Sequence, residues 1–233
     1  MGIAFVILWV IGGIIYTAWR FLRWSETSKT DAKVVIGYLA CLFVWGWLTA
    51  LIASRDGYVK TTEYFAMNVA TFVPLIVTGC FLVFATSRRV FERWIASISL
   101  QELTWIHLVR LTAIGTILKM LRGSLPAHFI LPVGIPDFVL GLSVSLIVWL
   151  VFRRGIAGKK VLVVWNVVGF VLFFPTLVVL YLSVPSPLQI FFEAPNTYEV
   201  FEFPMALVPT FIAPLFILIH NAAIIKLLRP GVS

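Results

Sequence analysis

Arg110 stands inside a long apolar run that begins near Leu100, where a guanidinium would have no water around it. A central Arg costs about 2.5–3.5 kcal/mol on insertion scales, and it does not escape that cost by losing its proton. Its five donors need acceptors. His107, three residues earlier, falls on the same helical face. Depth counting adds His220 with its neighbour Asn221, near the inner end of the last apolar run, and Asn166, just inside the sixth. All five lie in the inner half of a membrane. If their helices face one another they form one polar ligand-binding site.

No carboxylate is expected at that depth. Glu92 and Glu102 fall at the inner surface, and Asp137 falls at the outer end of the fifth run. Two readings of Arg110 follow. Either it receives an anionic ligand or lipid headgroup, or it binds carbonyls freed by proline kinks and ties helices together. A second set, Lys119, Arg122, His128 and Asp137, gathers at the outer ends. It reads as a gate above Arg110 or as an Arg122–Asp137 pair across a loop. Asp137 follows Pro136 and suits the first turn of a helix, where an anion meets the positive dipole end.

Other chemistries have less behind them. No cofactor is expected; His107 and His220 on different helices would suit the axial positions of a b-type haem only as an alternative. Neither HExxH nor GxSxG nor GxxxxGK spacing occurs, so nothing marks a metal centre, a nucleophile or a phosphate loop. Whether the chain is an enzyme stays open, with the residues leaning against it. Cys41 and Cys80 sit in apolar runs without a CxxC partner and read as buried, inert thiols.

The elements that must position these groups are membrane helices. The 233 residues are 61% apolar and 12% charged, with mean hydropathy +1.03, which leaves too few polar residues for a solvated shell. The expected fold is an all-α, seven-helix transmembrane bundle in one domain, 1–233. Its spans fall near 2–20, 33–53, 64–86, 100–121, 137–153, 161–183 and 204–226. Arg55, Lys60, Lys119 and Arg122 lie at one set of ends and Arg110 within a run; the remaining 13 of the 18 basic residues follow odd-numbered runs or sit in the tail. Basic loops stay cytoplasmic, so the N-terminus is expected outside and the C-terminus inside, in a plasma or bacterial inner membrane. The N-terminal run has no basic stretch before it and reads as a retained span.

Three connections are unusual. Residues 88–98 place Val90, Phe91, Trp94 and Ile95 on one face with arginines between them, the pattern of a short helix lying on the inner leaflet. Ser99 and Glu102 form a capping box that starts the fourth span. Residues 123–137 are apolar but carry three prolines and two glycines, so a broken segment is expected before the fifth span, dipping into the membrane or resting on it. The external loop 183–203 mixes Phe with Glu193, Glu199 and Glu202, which suits a lid or a docking surface. Gly37 with Cys41, and Gly141 with Ser145, are small pairs that allow close helix approach.

The net charge of +8 follows the topology and forms no clustered face. Nucleic acid is therefore not an expected partner, whereas anionic lipid at the cytoplasmic face is. The leading expectation is a small carrier or channel for an anionic or amphiphilic molecule. An accessory subunit that docks a protein through loop 183–203 is the alternative, and a haem-bearing electron-transfer protein is the third.

Overall fold

The computed structural model describes residues 29–60, 65–183, 188–192 and 194–229. The expected first span, 2–20, lies outside them. Among the described residues the regular structure is entirely helical. The principal helices are α1 (Lys29–Ser54), α2 (Phe65–Val83), α3 (Ala85–Ser97), α4 (Leu100–Leu121), α5 (Ala127–Arg153), α6 (Lys159–Ser183) and α7 (Val208–Leu228). Five of these, α1 and α4 to α7, are long and apolar enough to cross a membrane, and α2 with α3 makes a sixth if the bent pair is one span. Phe43, Ile76, Leu142, Val164 and Ile225 stand exposed around the bundle. Lipid suits such a surface, since a bilayer core is as apolar as those side chains.

The bend between α2 and α3 is 112°, made at an extended Phe84. α3 buries Val90 and Phe91 and leaves Arg88, Arg89 and Arg93 exposed, the two faces expected of a helix that could lie on a leaflet. Two contacts hold it. Arg93 pairs with Asp31 at 2.6 Å. Lys226 of α7 donates to the carbonyls of Ala96 (2.8 Å), Ile95 (3.3 Å) and Ile98, so a cation meets the carbonyl end of the helix. Next comes the capping box: Ser99 Oγ accepts from the Glu102 amide at 3.1 Å, and Glu102 Oε2 accepts from the Ser99 amide at 2.7 Å.

Two expectations need correction. The fifth span begins at Ala127, ten residues before the expected start at Asp137. In the stretch expected to be broken, 123–126 is non-helical and 131–133 is a turn between the helical Ala127–Ile130 and Gly134–Ile147, so the break is present but lies partly within the span. Gly123, at φ +75°, closes α4: its amide donates to Met120 O, and the Ser124 amide donates to Lys119 O. Pro136 lies in the first turn of the Gly134–Ile147 segment, where a missing N–H removes little from the ladder. The cysteines are also misjudged. Cys41 and Cys80 are both exposed, on a surface where a small apolar thiol meets lipid as readily as it fills a core.

Three stretches depart from α-helical winding. Ile106–Ala113 in α4 is a 3-10 helix, and Val148–Arg153 in α5 and Val208–Ile212 in α7 are π-helical. Pro214 has no amide to give Thr210 O, and Trp45 Nε1 donates to that carbonyl at 3.1 Å instead. Thr78 Oγ1 and Thr210 Oγ1 donate back along the chain to Pro74 O (2.8 Å) and Ala206 O (2.6 Å). One apolar cluster, with Leu125, Ile130, Leu180 and Phe201, fills the expected outer end. Another, with Val144, Leu162, Trp165 and Leu227, fills the inner end. The polar residues of α4 lie between the two.

Replacing Lys226 with Met should free the C-terminal carbonyls of α3. Hydrogen bonds to a charged group are worth about 1.5–3 kcal/mol, so unfolding should move to lower denaturant by that amount. Amide exchange at 95–98 should accelerate, and unchanged exchange there would show that Lys226 does not anchor the helix.

Candidate functional site

The site is built where the 3-10 stretch of α4 crosses α5, α6 and α7. In a 3-10 helix residues i and i+3 eclipse, so His107 and Arg110 project one directly above the other. Two glycines bring neighbouring helices close. A Cβ on Gly141 would lie 2.9 Å from the Leu111 amide nitrogen and 3.1 Å from Arg110 Cβ. Its hydrogen therefore lets α5 pack directly on the α4 backbone, and Asp137, one turn earlier on the same face, meets Arg110. A Cβ on Gly169 would lie 2.3 Å from His220 Cε1 and Nε2. This glycine makes the space that the His220 ring fills, and Asn166 precedes it by three residues. Gly37 has no such neighbour; a Cβ there would meet open space.

Arg110, His107, His220 and Asn166 come together, and all four are buried. Arg110 Nη1 donates to Asp137 Oδ1, in an ion pair. Its Nε donates to His107 Nδ1 at 3.2 Å, and its Nη2 meets His220 Nε2 at 3.1 Å. A guanidinium has no lone pair to offer, so both facing ring nitrogens act as acceptors. That fixes the tautomers. His220 carries its proton on Nδ1 and donates to Asn166 Oδ1 at 3.0 Å, while Asn166 Nδ2 donates to Leu162 O at 2.8 Å. His107 carries its proton on Nε2, a buried atom with no hydrogen-bond partner among the described residues.

Aromatic rings enclose this chain of bonds. The His107 and His220 rings stack at 4.0 Å and 15°. Trp165 meets His107 edge-on at 5.3 Å, and the Arg110 guanidinium lies 4.2 Å from the centre of Phe216 and 5.3 Å from that of Phe173. A cation over a ring face in a dry site gains roughly 2 kcal/mol. The stacked imidazoles do not fit bis-histidine haem ligation, which needs a nitrogen of each ring aimed at one iron from opposite sides. Among the described residues, no group of three or more His, Cys, Asp or Glu is placed to hold a metal.

The expectation that Arg110 lacks an acidic partner is overturned. Asp137 supplies the carboxylate, and it does so because α5 starts ten residues earlier than expected, which carries Asp137 into the span. The outer gate set is divided by the same fact. Asp137 leaves it for Arg110, and Lys119 pairs with Glu199 of the connection between α6 and α7 at 2.5 Å. Arg122 is exposed, and His128 stacks on Phe191 at 3.9 Å and 11°. Asn221 is half-buried and makes no hydrogen bond to the Arg110 group among the described residues. Sequence reasoning missed Gly169, Phe173, Phe216 and the Lys119–Glu199 pair. The spacing of Gly134, Asp137 and Gly141 on one small-sided helical face was the available signal for the Arg110 partner.

A cavity of about 140 Å³ opens on the Arg110–Asp137 pair. Its walls come from α4 to α7, including Thr112, Thr116 and Thr176, and Val200 and Met205 of the connection between α6 and α7 also line it. The Asp137 side chain keeps 30% of its surface, against 2% for Arg110. The carboxylate, not the guanidinium, is the more open of the two charges.

Fold and site thus define an all-helical protein of membrane-spanning character with a buried ion pair beside a cavity. The chain belongs to the family described as Domain of unknown function (DUF8737), which matches residues 64–228 and so includes every residue of this site. No curated protein and no solved structure is significantly similar to it.

Breaking a buried pair by removing one partner costs about 3–5 kcal/mol, because the other charge is stranded. Arg110→Met and Asp137→Leu should each destabilise the protein by that order in detergent unfolding. The double variant should regain most of the loss, and simple additivity would show that the two side chains do not act as a pair.

Proposed function

We propose that this chain is a carrier for a small amphiphilic molecule, bound in the cavity above the Arg110–Asp137 pair. The observation that carries this reading is the cavity, an apolar chamber with a charged floor inside a helical bundle. Ionisable groups at membrane depth mark ligand or ion pathways more often than they serve stability. The helix winding adds support. Val109, Thr112 and Ala113 of the 3-10 stretch line one wall, and Val208, Pro209 and Ile212 of the π stretch line another. Such stretches rewind at small cost and are common hinges, which suits a site that must open to each side in turn.

An anion bound to a free Arg110 is no longer part of the proposal, since Asp137 already neutralises that charge. In this reading the chain has seven spans, with the apolar run at 2–20 as the first. Its N-terminus is outside and its C-terminus cytoplasmic, in a bacterial inner membrane. The distribution of Lys and Arg supports that orientation.

A second reading has its own observation. Leu188, Ile190, Phe192 and Phe203 stand exposed on the external loop, which suits docking in a larger membrane complex. Purification in mild detergent discriminates. A stoichiometric partner that is lost on deleting 188–192 favours an accessory subunit, and a monodisperse chain without partners opposes it.

The carrier reading is tested by accessibility. With Cys41 and Cys80 replaced by Ala, Thr116→Cys places one thiol in the cavity wall. A membrane-impermeant thiosulfonate should modify it in both right-side-out and inside-out vesicles. Modification from one side only, or from neither, contradicts alternating access.

A further inference from the structure

The polar lining of the cavity is one-sided in its hydrogen bonding. Thr112 Oγ1 donates to Val109 O at 2.8 Å, Thr116 Oγ1 to Ala113 O at 2.8 Å, and Thr176 Oγ1 to Leu172 O at 3.0 Å. Each hydroxyl has one proton, so what each offers the cavity is oxygen lone pairs. Asp137 uses Oδ1 for Arg110, and its Oδ2 has no hydrogen bond among the described residues. Three of the five donors of Arg110 go to Asp137, His107 and His220, and the side chain is nearly enclosed, so it presents little to the cavity. A ligand therefore meets acceptors.

Charge and size narrow the class. The floor carries one positive and one negative group in contact, so a charged ligand would leave water with no free counter-ion to meet it. The volume of about 140 Å³ is close to that of an engineered apolar cavity, about 150 Å³, that admits benzene. The rest of the lining is largely apolar, with Phe129, Ile130, Leu172 and Phe173 among it.

We propose that the cavity selects an uncharged, ring-sized molecule that carries a hydrogen-bond donor, an alcohol or phenol rather than a hydrocarbon or a carboxylate. The hydroxyl donates to Asp137 Oδ2 or to a threonine oxygen, and the ring fills the apolar chamber. This inference rests on the pocket reading above and refines it. It names a ligand class, which the buried pair alone does not.

The test uses the full chain in nanodiscs, with fluorine NMR of 4-fluorophenol, fluorobenzene and 4-fluorobenzoate, and empty nanodiscs as the blank for partition into lipid. 4-Fluorophenol should bind saturably, and fluorobenzene about fivefold more weakly, the effect of one neutral hydrogen bond. Thr112→Val, Thr116→Val and Thr176→Val preserve side-chain shape; a narrowed preference for the phenol in one of them, with fluorobenzene unweakened, assigns the hydroxyl to that threonine, and an unchanged preference in all three assigns it to Asp137 Oδ2. Equal binding of fluorobenzene overturns the donor requirement and leaves the pocket reading standing. Tightest binding by 4-fluorobenzoate overturns the inference in favour of an anion site. No saturable binding of any probe overturns the inference and the pocket reading together.

Discussion

A guanidinium enclosed by apolar helices must have its charge met and its donors accepted, and the arrangement around Arg110 answers to that need. Asp137 meets the charge, two imidazoles accept from the remaining edges, and Phe216 lies close beside the plane. Each acceptor comes from a different place in the chain: α4 itself, α5 and α7. The group thus does more than satisfy one side chain. It fixes how three helices lie against one another, and through His220 and Asn166 it reaches α6. Removing a buried member leaves its partner's polar atom without its hydrogen bond, which is why a buried network of this kind specifies one packing.

The packing that allows the network depends on absent side chains. Gly141 brings the α5 backbone onto the 3-10 stretch, and Gly169 leaves the volume that His220 occupies. The cavity is continuous with the same geometry. The non-α winding of α4 and α7 shapes two of its walls, and the half-open carboxylate of Asp137 forms part of its floor. Structural tie and ligand site are therefore not rivals here. The pair that holds the helices is also the polar surface that a bound molecule would meet.

Much of the fold was legible because hydropathy and charge act over whole segments. The α6 and α7 spans, the flat helix at 85–97 and the capping box at Ser99 follow from run length, alternating faces and local hydrogen bonding. That His107, Arg110, Asn166 and His220 stand at matching levels along their helices was also readable, since each residue advances a helix by about 1.5 Å. What was not readable turned on proline. Pro132 lies in the turn at 131–133 and Pro136 in the first turn of the helix after it, yet Ala127–Ile130 before them is already helical, so α5 starts early and Asp137 moves inward. Side-chain facing was hidden as well. Which helix Arg110 looks toward depends on Gly141 and Gly169 meeting partners distant in sequence, and on a 3-10 stretch with no proline within it to announce it.

The central claim is that the Arg110 side chain is turned into the bundle and held by Asp137, not extended to a headgroup. Solid-state NMR in lipid bilayers tests it directly, with nitrogen-labelled arginine, carbon-labelled aspartate and the phosphorus of the lipid as alternative partners. An Arg110→Lys variant identifies the signal. The account predicts strong dephasing of the Arg110 guanidinium nitrogens by an aspartate carboxyl carbon, lost in Asp137→Asn grown with the same label, and none by lipid phosphorus. Phosphorus dephasing without the carboxyl contact would contradict it.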